Sequence, residues 1–219
     1  MPFFDLTHLP EWKRTGGLSA PSKMPAWAYG LPATACLLGQ RLRAQSETIC
    51  AACYALRGRY RFPAVQVAQA RRLKAVQSSP SWVPDMIRLL TVAYSLVPSD
   101  AQCFRWHDSG DLQSAAHLTQ IVAVCRGTPP LQHWLPTREI GFVAAHLNVD
   151  GPFPPNLVVR VSATRPDEPA PSGPWHTGTV HAIQPPLGQP CAALAHGHSC
   201  GACRACWDPA IPTISYPLR

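Results

Sequence analysis

The cysteines of this 219-residue chain are the residues whose type and spacing point most directly to chemistry. There are nine of them, and seven fall into two groups. The first group, with the spacing C-x13-C-x2-C, is Cys36, Cys50 and Cys53; the second, with the spacing C-x8-C-x2-C-x2-C, is Cys191, Cys200, Cys203 and Cys206. An odd number of cysteines in a chain that opens without an export signal argues against a disulfide framework and favours metal or redox chemistry.

The second group has a spacing that is typical of metal sites. Thiolates three residues apart let a tight loop turn several sulfurs toward one centre. Zinc commonly uses two separated C-x2-C pairs, whereas a continuous C-x2-C-x2-C run is typical of loops around an iron–sulfur cube. Four thiolates close the site, so we expect a [4Fe–4S] cluster with a structural or electron-carrying role, with zinc as the alternative. His196 and His198 could substitute as ligands.

The first group supplies only three thiolates. A cube held by three protein ligands leaves one iron open, and an open iron can bind a small molecule. Cys103 could complete the set, but its place inside a predicted strand favours a buried structural thiol. Cys125 shares the apolar side of a predicted helix with Leu118 and Ile121, and we expect it in the core.

The elements that must position these groups alternate between strand and helix. Apolar runs predict strands at residues 26–29, 102–107, 131–135, 157–161 and 178–183, and helices at residues 52–59, 63–77, 84–96, 112–126 and 139–147. This order predicts an α/β fold, an incomplete (β/α) barrel-like parallel sheet with a Cys-rich C-terminal extension. We expect a barrel-like domain over residues 1–190 and a metal-binding tail over residues 191–219 packed on it.

Polar residues follow three of the predicted strands. His107, Asp108, Gly110 and Asp111 come after one strand, Arg138 and Glu139 after the next, and residues 162–164 after a third. The carboxyl ends of parallel strands meet at one edge of the sheet, where binding groups collect. We therefore expect these residues to line a ligand pocket beside the first cysteine group. The alternative is that Asp111 only caps a helix and that Arg138 and Glu139 only pair.

Basic residues are unevenly distributed along a chain with a net charge of +7. Eight of them lie between Arg41 and Lys74, against Glu47 alone, and arginine outnumbers lysine sixteen to three. Nucleic acid is one partner for such a segment, and a solvated basic face is the alternative. The candidate contacts are Arg57, Arg59, Arg61, Arg71 and Arg72. Without a long apolar run or a secretory signal, we expect a cytoplasmic protein with no membrane partner.

Several strings of this sequence resemble the phage gene product 88 family. They are residues 23–25 (KMP), 50–55 (CAACYA), 104–113 (FRWHDSGDLQ), 134–139 (WLPTRE) and 199–208 (SCGACRACWD). This resemblance implies a phage-encoded protein that works in the host cytoplasm. The string Cys53-Tyr54-Ala55 is also similar to the cysteine loop of another phage family, one similar to radical S-adenosylmethionine enzymes, although the usual loop is C-x3-C-x2-C.

The second resemblance implies a role for each polar residue at the sheet edge. The open iron would bind the amino and carboxylate groups of S-adenosylmethionine, with Gly110 and Asp111 beside the amino group. His107, Asp108, Arg138 and Glu139 would line the pocket of a small-molecule substrate. Two other functions stay open, which are a non-catalytic zinc protein that binds nucleic acid and an electron-transfer protein with two closed clusters. The substrate and the oligomeric state are also open.

Overall fold

A seven-stranded parallel sheet forms the centre of the structure, a computed structural model that describes residues 5–98 and 102–218. Its strands are β1 (Trp27–Tyr29), β2 (Cys103–Trp106), β3 (Gln132–Thr137), β4 (Leu157–Ser162), β5 (His176–His181), β6 (Gln189–Pro190) and β7 (Thr213–Pro217). All neighbours pair in parallel, in the order β1-β2-β3-β4-β5-β7-β6. Because β1 and β6 remain edges, the sheet does not close, which confirms the predicted incomplete barrel-like α/β fold.

One helix precedes the first strand, and five further helices connect strands β1 to β4. They are α1 (Pro10–Thr15), α2 (Leu37–Arg43), α3 (Pro63–Ser78), α4 (Trp82–Tyr94), α5 (Ala115–Gly127) and α6 (Ile140–Val149). The prediction of a helix over residues 52–59 is wrong, since this stretch forms short 3-10 turns at Ile49–Ala52, Tyr54–Leu56 and Gly58–Arg61. Within the described residues no helix is long and apolar enough to cross a membrane.

The two faces of the sheet have different coverings because side chains alternate along each strand. In β2, Phe104 and Trp106 belong to the same apolar core as Trp82 of α4. Cys103 points to the opposite side, where it packs with Trp134 and Trp207. We call this second side the tail face, because residues 191–218, here called the tail, cover it. Helices thus cover one face and the cysteine-rich tail the other.

The tail is hydrogen-bonded into the sheet as well as packed on it. Its strand β7 lies between β5 and β6, and the amide of Cys191 donates to the carbonyl of Ser215. Arg160 of β4 is 1% exposed and binds the tail through hydrogen bonds. Its guanidinium donates to the backbone carbonyls of Ala205, Cys206, Asp208, Ile211 and Pro212. One buried side chain therefore shapes the loop that contains the last cysteines.

Candidate cysteine-centred site

Cys36 and Cys50 bring their sulfurs together over the first turn of α2. A Cβ atom added to Gly39 would lie 2.9 Å from Cβ of Cys36, which is too close for a side chain, and it would be in ordinary contact with Sγ of Cys36 at 3.6 Å and with Sγ of Cys50 at 3.8 Å. Burial first of all, together with the nearby charges of Asp111, Cys53 and Cys50, raises the pKa of Cys36 to about 12. The three cysteines of the first group thus form one electrostatically coupled cluster.

Local hydrogen bonds hold this cluster at the carboxyl edge of the sheet. The side chain of Thr48 caps the 3-10 turn Ile49–Ala52 by accepting a bond from Ala51. The amide of Ile49 donates to the carbonyl of Thr164, 2.9 Å away, just beyond β4. The turn that carries Cys50 and Cys53 is therefore fastened to the end of a central strand.

Asp111 joins the ends of β2 and β3 beneath the cluster. Its carboxylate accepts bonds from the hydroxyl of Thr137 at 2.6 Å, the amide of Leu112 at 2.8 Å and the amide of Arg138 at 2.9 Å. Burial raises the pKa of Asp111 to about 6, against these bonds, which lower it. The alternative that Asp111 caps the following helix is wrong, because Ser114 is the residue that accepts the capping bond.

Arg138 and Glu139 both contact the surroundings of the first cysteine group. Nε of Arg138 donates to the carbonyl of Ala163. Burial raises the pKa of Cys36 and of Cys50, and the positive charge of Arg138 opposes this rise. Glu139 accepts a bond from the amide of Leu38 in α2. No ion pair between Arg138 and Glu139 exists among the ion pairs of residues 5–98 and 102–218, so these two side chains act separately.

His107 lies at the end of β2 with its ring turned away from the cysteines. The residue has a left-handed φ of 54° and is 2% exposed. Its ring lies 5.5 Å from that of His117 in α5, and neither ring nitrogen has a hydrogen-bond partner among the described residues. Burial lowers the pKa of His107 well below its usual value. The ring is therefore neutral and faces the helical layer.

Asp108 and Gly110 hold the loop that follows β2 against neighbouring segments of the chain. The backbone carbonyl of Asp108 accepts bonds from the hydroxyls of Tyr54 at 2.7 Å and Tyr60 at 3.2 Å. Gly110 has a φ of 77°, and a Cβ there would lie 2.7 Å from the backbone of Leu31. Sequence reasoning missed both tyrosines, although Tyr54 directly follows Cys53.

The four tail cysteines line one cavity of about 40 Å³ on the tail face. They are partly buried, and Sγ of Cys206 lies 3.3 Å from the hydroxyl of Tyr216. Burial raises the pKa of Cys206 to about 12, while the charges of Arg105 and Arg160 lower it. The second group therefore surrounds a shared space with cationic side chains close by.

All nine cysteines are free thiols. Cys103 and Cys125 are buried in two different apolar clusters, as predicted. Within the described ranges, no set of three or more His, Cys, Asp or Glu side chains already has the geometry to hold a metal ion. The structure thus gathers the two groups, at Gly39 and around the tail cavity, without setting their sulfurs at coordination distances.

The predicted basic surface loses one of its arginines. Arg72 is 5% exposed, and its guanidinium donates to the carbonyls of Gly17, Leu18 and Gly30. The prediction that Arg72 contacts nucleic acid is therefore wrong, because its guanidinium is buried and bound to backbone carbonyls. Arg71 is exposed but donates to the carbonyl of Gly16, whereas Arg57, Arg59 and Arg61 remain exposed.

These features define an open, parallel α/β protein with cysteines at the carboxyl edge of its sheet and on one sheet face. The family model described as Gene product 88 matches residues 8–184. The chain belongs to this phage family. The match includes the first cysteine group and ends before the four tail cysteines. No curated protein and no solved structure matches the chain.

Proposed function

We propose that this protein is a redox protein with iron–sulfur clusters at both cysteine groups, and that its first cluster activates S-adenosylmethionine. The observation that carries the proposal is the convergence of Cys36 and Cys50 over Gly39, at the edge where parallel sheets bind ligands. Cys53 and the positively charged side chain of Arg138 are close neighbours of these two thiols. Three thiolates and a positive charge suit an anionic cluster with one open iron.

The position of Cys103 supports the open iron. Cys103 is buried on the tail face beside Trp207, and its charged neighbours are Arg204 and Cys200 of the tail. It is also the first residue of β2, so it lies at the opposite end of this strand from the carboxyl edge, where the turn that carries Cys50 is fastened. A fourth ligand of the first cluster would have to come from a bound molecule.

Asp111 and Arg138 are the residues we assign to that molecule. Oδ2 of Asp111 accepts one bond, from the amide of Arg138, and keeps a lone pair for an amino group. The guanidinium of Arg138 donates through Nε to Ala163 and has further donors for a carboxylate. S-adenosylmethionine carries both groups, and a bound cluster would supply the electron that cleaves its sulfonium bond. His107, with its ring in the helical layer, supports the loop instead.

Anaerobic reconstitution tests the proposal through iron and sulfide counts. Two cubes give about eight irons and about eight sulfides per chain. Changing Cys36, Cys50 and Cys53 together to alanine halves both counts, and so does changing Cys200, Cys203 and Cys206. Cys125→Ala, which removes a core thiol, is the matched control and leaves the counts unchanged. Iron and sulfide at background level would contradict the proposal, and one zinc without sulfide would make the tail a zinc site.

The activation step has its own measurement. Reduced, reconstituted protein should show a changed electron paramagnetic resonance spectrum when S-adenosylmethionine is added, and it should release 5′-deoxyadenosine. The variant without the first cysteine group should do neither, whereas the variant without Cys200, Cys203 and Cys206 should keep the spectral change. If no binding is seen with a full iron count, both clusters serve electron transfer only.

Nucleic-acid binding is a second candidate function, favoured by the surface around residues 57–61. Arg57, Arg59 and Arg61 are exposed and form no ion pair with any acidic side chain in the described ranges. Tyr54 and Phe62, which flank them, are 54% and 58% exposed. Arginines with interleaved aromatic rings suit a phosphate backbone and stacked bases.

An electrophoretic titration at two ionic strengths tests this second function. Contacts to phosphates make the affinity fall steeply as salt rises, and changing Arg57, Arg59 and Arg61 to alanine should remove most of that dependence. Arg126→Ala, at an exposed position in α5, is the control. Binding that is absent, or that does not respond to salt, contradicts it.

A further inference from the structure

Arg105 of β2 is a half-buried arginine that has few partners. Its Nε is buried without a hydrogen-bond partner in the described part of the chain. Nη1 faces the sulfur of Met24 at 3.1 Å, and the guanidinium carbon lies 4.5 Å from the ring centre of Trp134. No carboxylate of residues 5–98 or 102–218 lies within 4.0 Å of this cation.

Comparison with the neighbouring guanidiniums shows what Arg105 lacks. Arg72 and Arg160 are nearly fully buried, and backbone carbonyls accept bonds from each of them on several sides. A guanidinium removed from water needs such acceptors, because an unpaired buried charge is costly. A thioether and an indole ring are weak substitutes for oxygen acceptors. The structure therefore leaves the buried Nε of Arg105 without an acceptor.

The neighbours of Arg105 come from two parts of the chain. It lies on the tail face, and its charged or polar neighbours are Cys200 and Cys206 of the tail, Tyr54 and Tyr60 next to the first cysteine group, and the carboxylate of Asp108, which lies beyond ion-pair distance. The two tyrosine hydroxyls already bond the carbonyl of Asp108. Arg105 therefore stands between the two cysteine groups, and its side chain is only partly covered.

We propose that Arg105 binds an oxyanion, a carboxylate or a phosphate, of a ligand that enters the tail face between the two cysteine groups. Nε and one terminal nitrogen of a guanidinium form a planar fork that matches two oxygens of such an anion. The stacked ring of Trp134 holds the guanidinium plane in place for the anion. Binding of the anion needs no cluster. The inference rests on the proposed function in one respect only, which is that the ligand bound by Arg105 is the substrate.

Titration of the metal-free protein tests anion binding independently of the clusters. Inorganic phosphate represents the phosphate class and malonate the carboxylate class, and each is followed by calorimetry and by the fluorescence of tryptophan. One of the two should bind saturably and identify the class. Arg105→Met should weaken that binding by at least about tenfold, and Arg105→Lys, which keeps the charge but loses the fork, should weaken it less. Arg126→Met, at an exposed position, should bind like the wild type.

Two results would overturn the inference. One is saturable binding of the same affinity in wild type and Arg105→Met, and the other is no saturable binding of either anion by the wild type. Thermal unfolding establishes that each variant is folded, and Arg105→Lys serves alone if Arg105→Met does not fold. The reconstituted protein is used to test a rival role, in which Arg105 only neutralises the negative charge of the tail thiolates. In that case Arg105→Lys would lower the iron count at the tail and leave anion binding unchanged.

Discussion

Glu139 and Leu38 are joined by a hydrogen bond of 2.7 Å between Oε1 and the backbone amide. Leu38 is the second residue of α2, and Cys36 is the residue that precedes this helix. The carboxylate thus satisfies an amide that the helix itself leaves without a partner, and it places negative charge at the helix start. A residue at the end of β3 thereby fixes the position of the first cysteine.

Glu139→Ala should loosen the loop that carries Cys36. Loss of a side-chain cap costs about 1 kcal/mol locally and frees the first turn of α2. Alkylation of Cys36 by iodoacetamide, followed by mass spectrometry of the metal-free protein, should then become severalfold faster. Glu139→Gln, which keeps an acceptor oxygen, should stay close to the wild-type rate. Equal rates in all three proteins would mean that the bond does not position Cys36.

Arg160→Met should release the tail from the sheet. In this variant five backbone carbonyls lose their donor at once. Because these carbonyls are left unpaired, the free energy of unfolding should fall by about 3 kcal/mol or more. Limited proteolysis should then cut within the tail, and the reconstituted variant should lose the tail metal before the first. Arg165→Met removes only exposed ion pairs, with Glu47 and Glu168, and should leave the proteolysis pattern unchanged. A tail that resists cleavage in Arg160→Met would contradict this role.

Asp85→Asn should destabilise the contact between α1 and α4. The buried carboxylate of Asp85 pairs with Arg14 at 2.7 Å and with Arg88, and it accepts a bond from Ser81. Loss of its charge should cost roughly 2 kcal/mol in the free energy of unfolding at neutral pH.

The pH dependence of this loss has a defined sign. The bond to Arg14 first of all, with the bonds to Ser81 and Arg88, holds the pKa of Asp85 at about 2, below its usual value of 3.8. The folded state thus favours the ionised form, and the contribution is present above about pH 4 and is lost as the pH falls toward 2. Urea unfolding of both proteins from pH 7 to pH 2 measures the difference. A gap that does not narrow below pH 4 would exclude an ionic origin.

His133→Gln should reduce the acid sensitivity of the fold. His133 is 0% exposed, bonds the hydroxyl of Thr128 at 2.9 Å, and burial lowers its pKa to about 3. Between about pH 6.5 and pH 3 the unfolded chain binds a proton at this histidine and the folded chain does not, so stability falls as the pH falls. The slope is ~1.4 kcal/mol per pH unit for each such histidine.

Glutamine cannot titrate but can still bond Thr128. The variant should therefore be less stable at pH 7. Between pH 6 and pH 5, its free energy of unfolding should depend on pH less steeply than that of the wild type, by ~1.4 kcal/mol per pH unit. Unfolding by urea at these two pH values is the measurement. Parallel slopes for the two proteins would mean that His133 is already protonated in the native state.

The sequence by itself determined the class of the fold. Strands β2, β3 and β4 and helices α3 to α6 lie within a few residues of their predicted places, because buried parallel strands and core-facing helices carry apolar patterns that depend on local spacing. The polar residues after these strands were also found from the sequence, since topology alone brings the ends of parallel strands together. The grouping of the cysteines was equally visible in their spacing.

Only the tertiary structure decided which charged residues are buried and what they contact. Arg72, Arg105 and Arg160 are arginines within predicted helices or strands, and nothing local separates one that holds carbonyls from one that lacks an acceptor. The strands β6 (Gln189–Pro190) and β7 (Thr213–Pro217) were missed because each contains a proline, which in a sequence argues against a strand. Burial and pairing of this kind are set by contacts between distant segments, which no local pattern encodes.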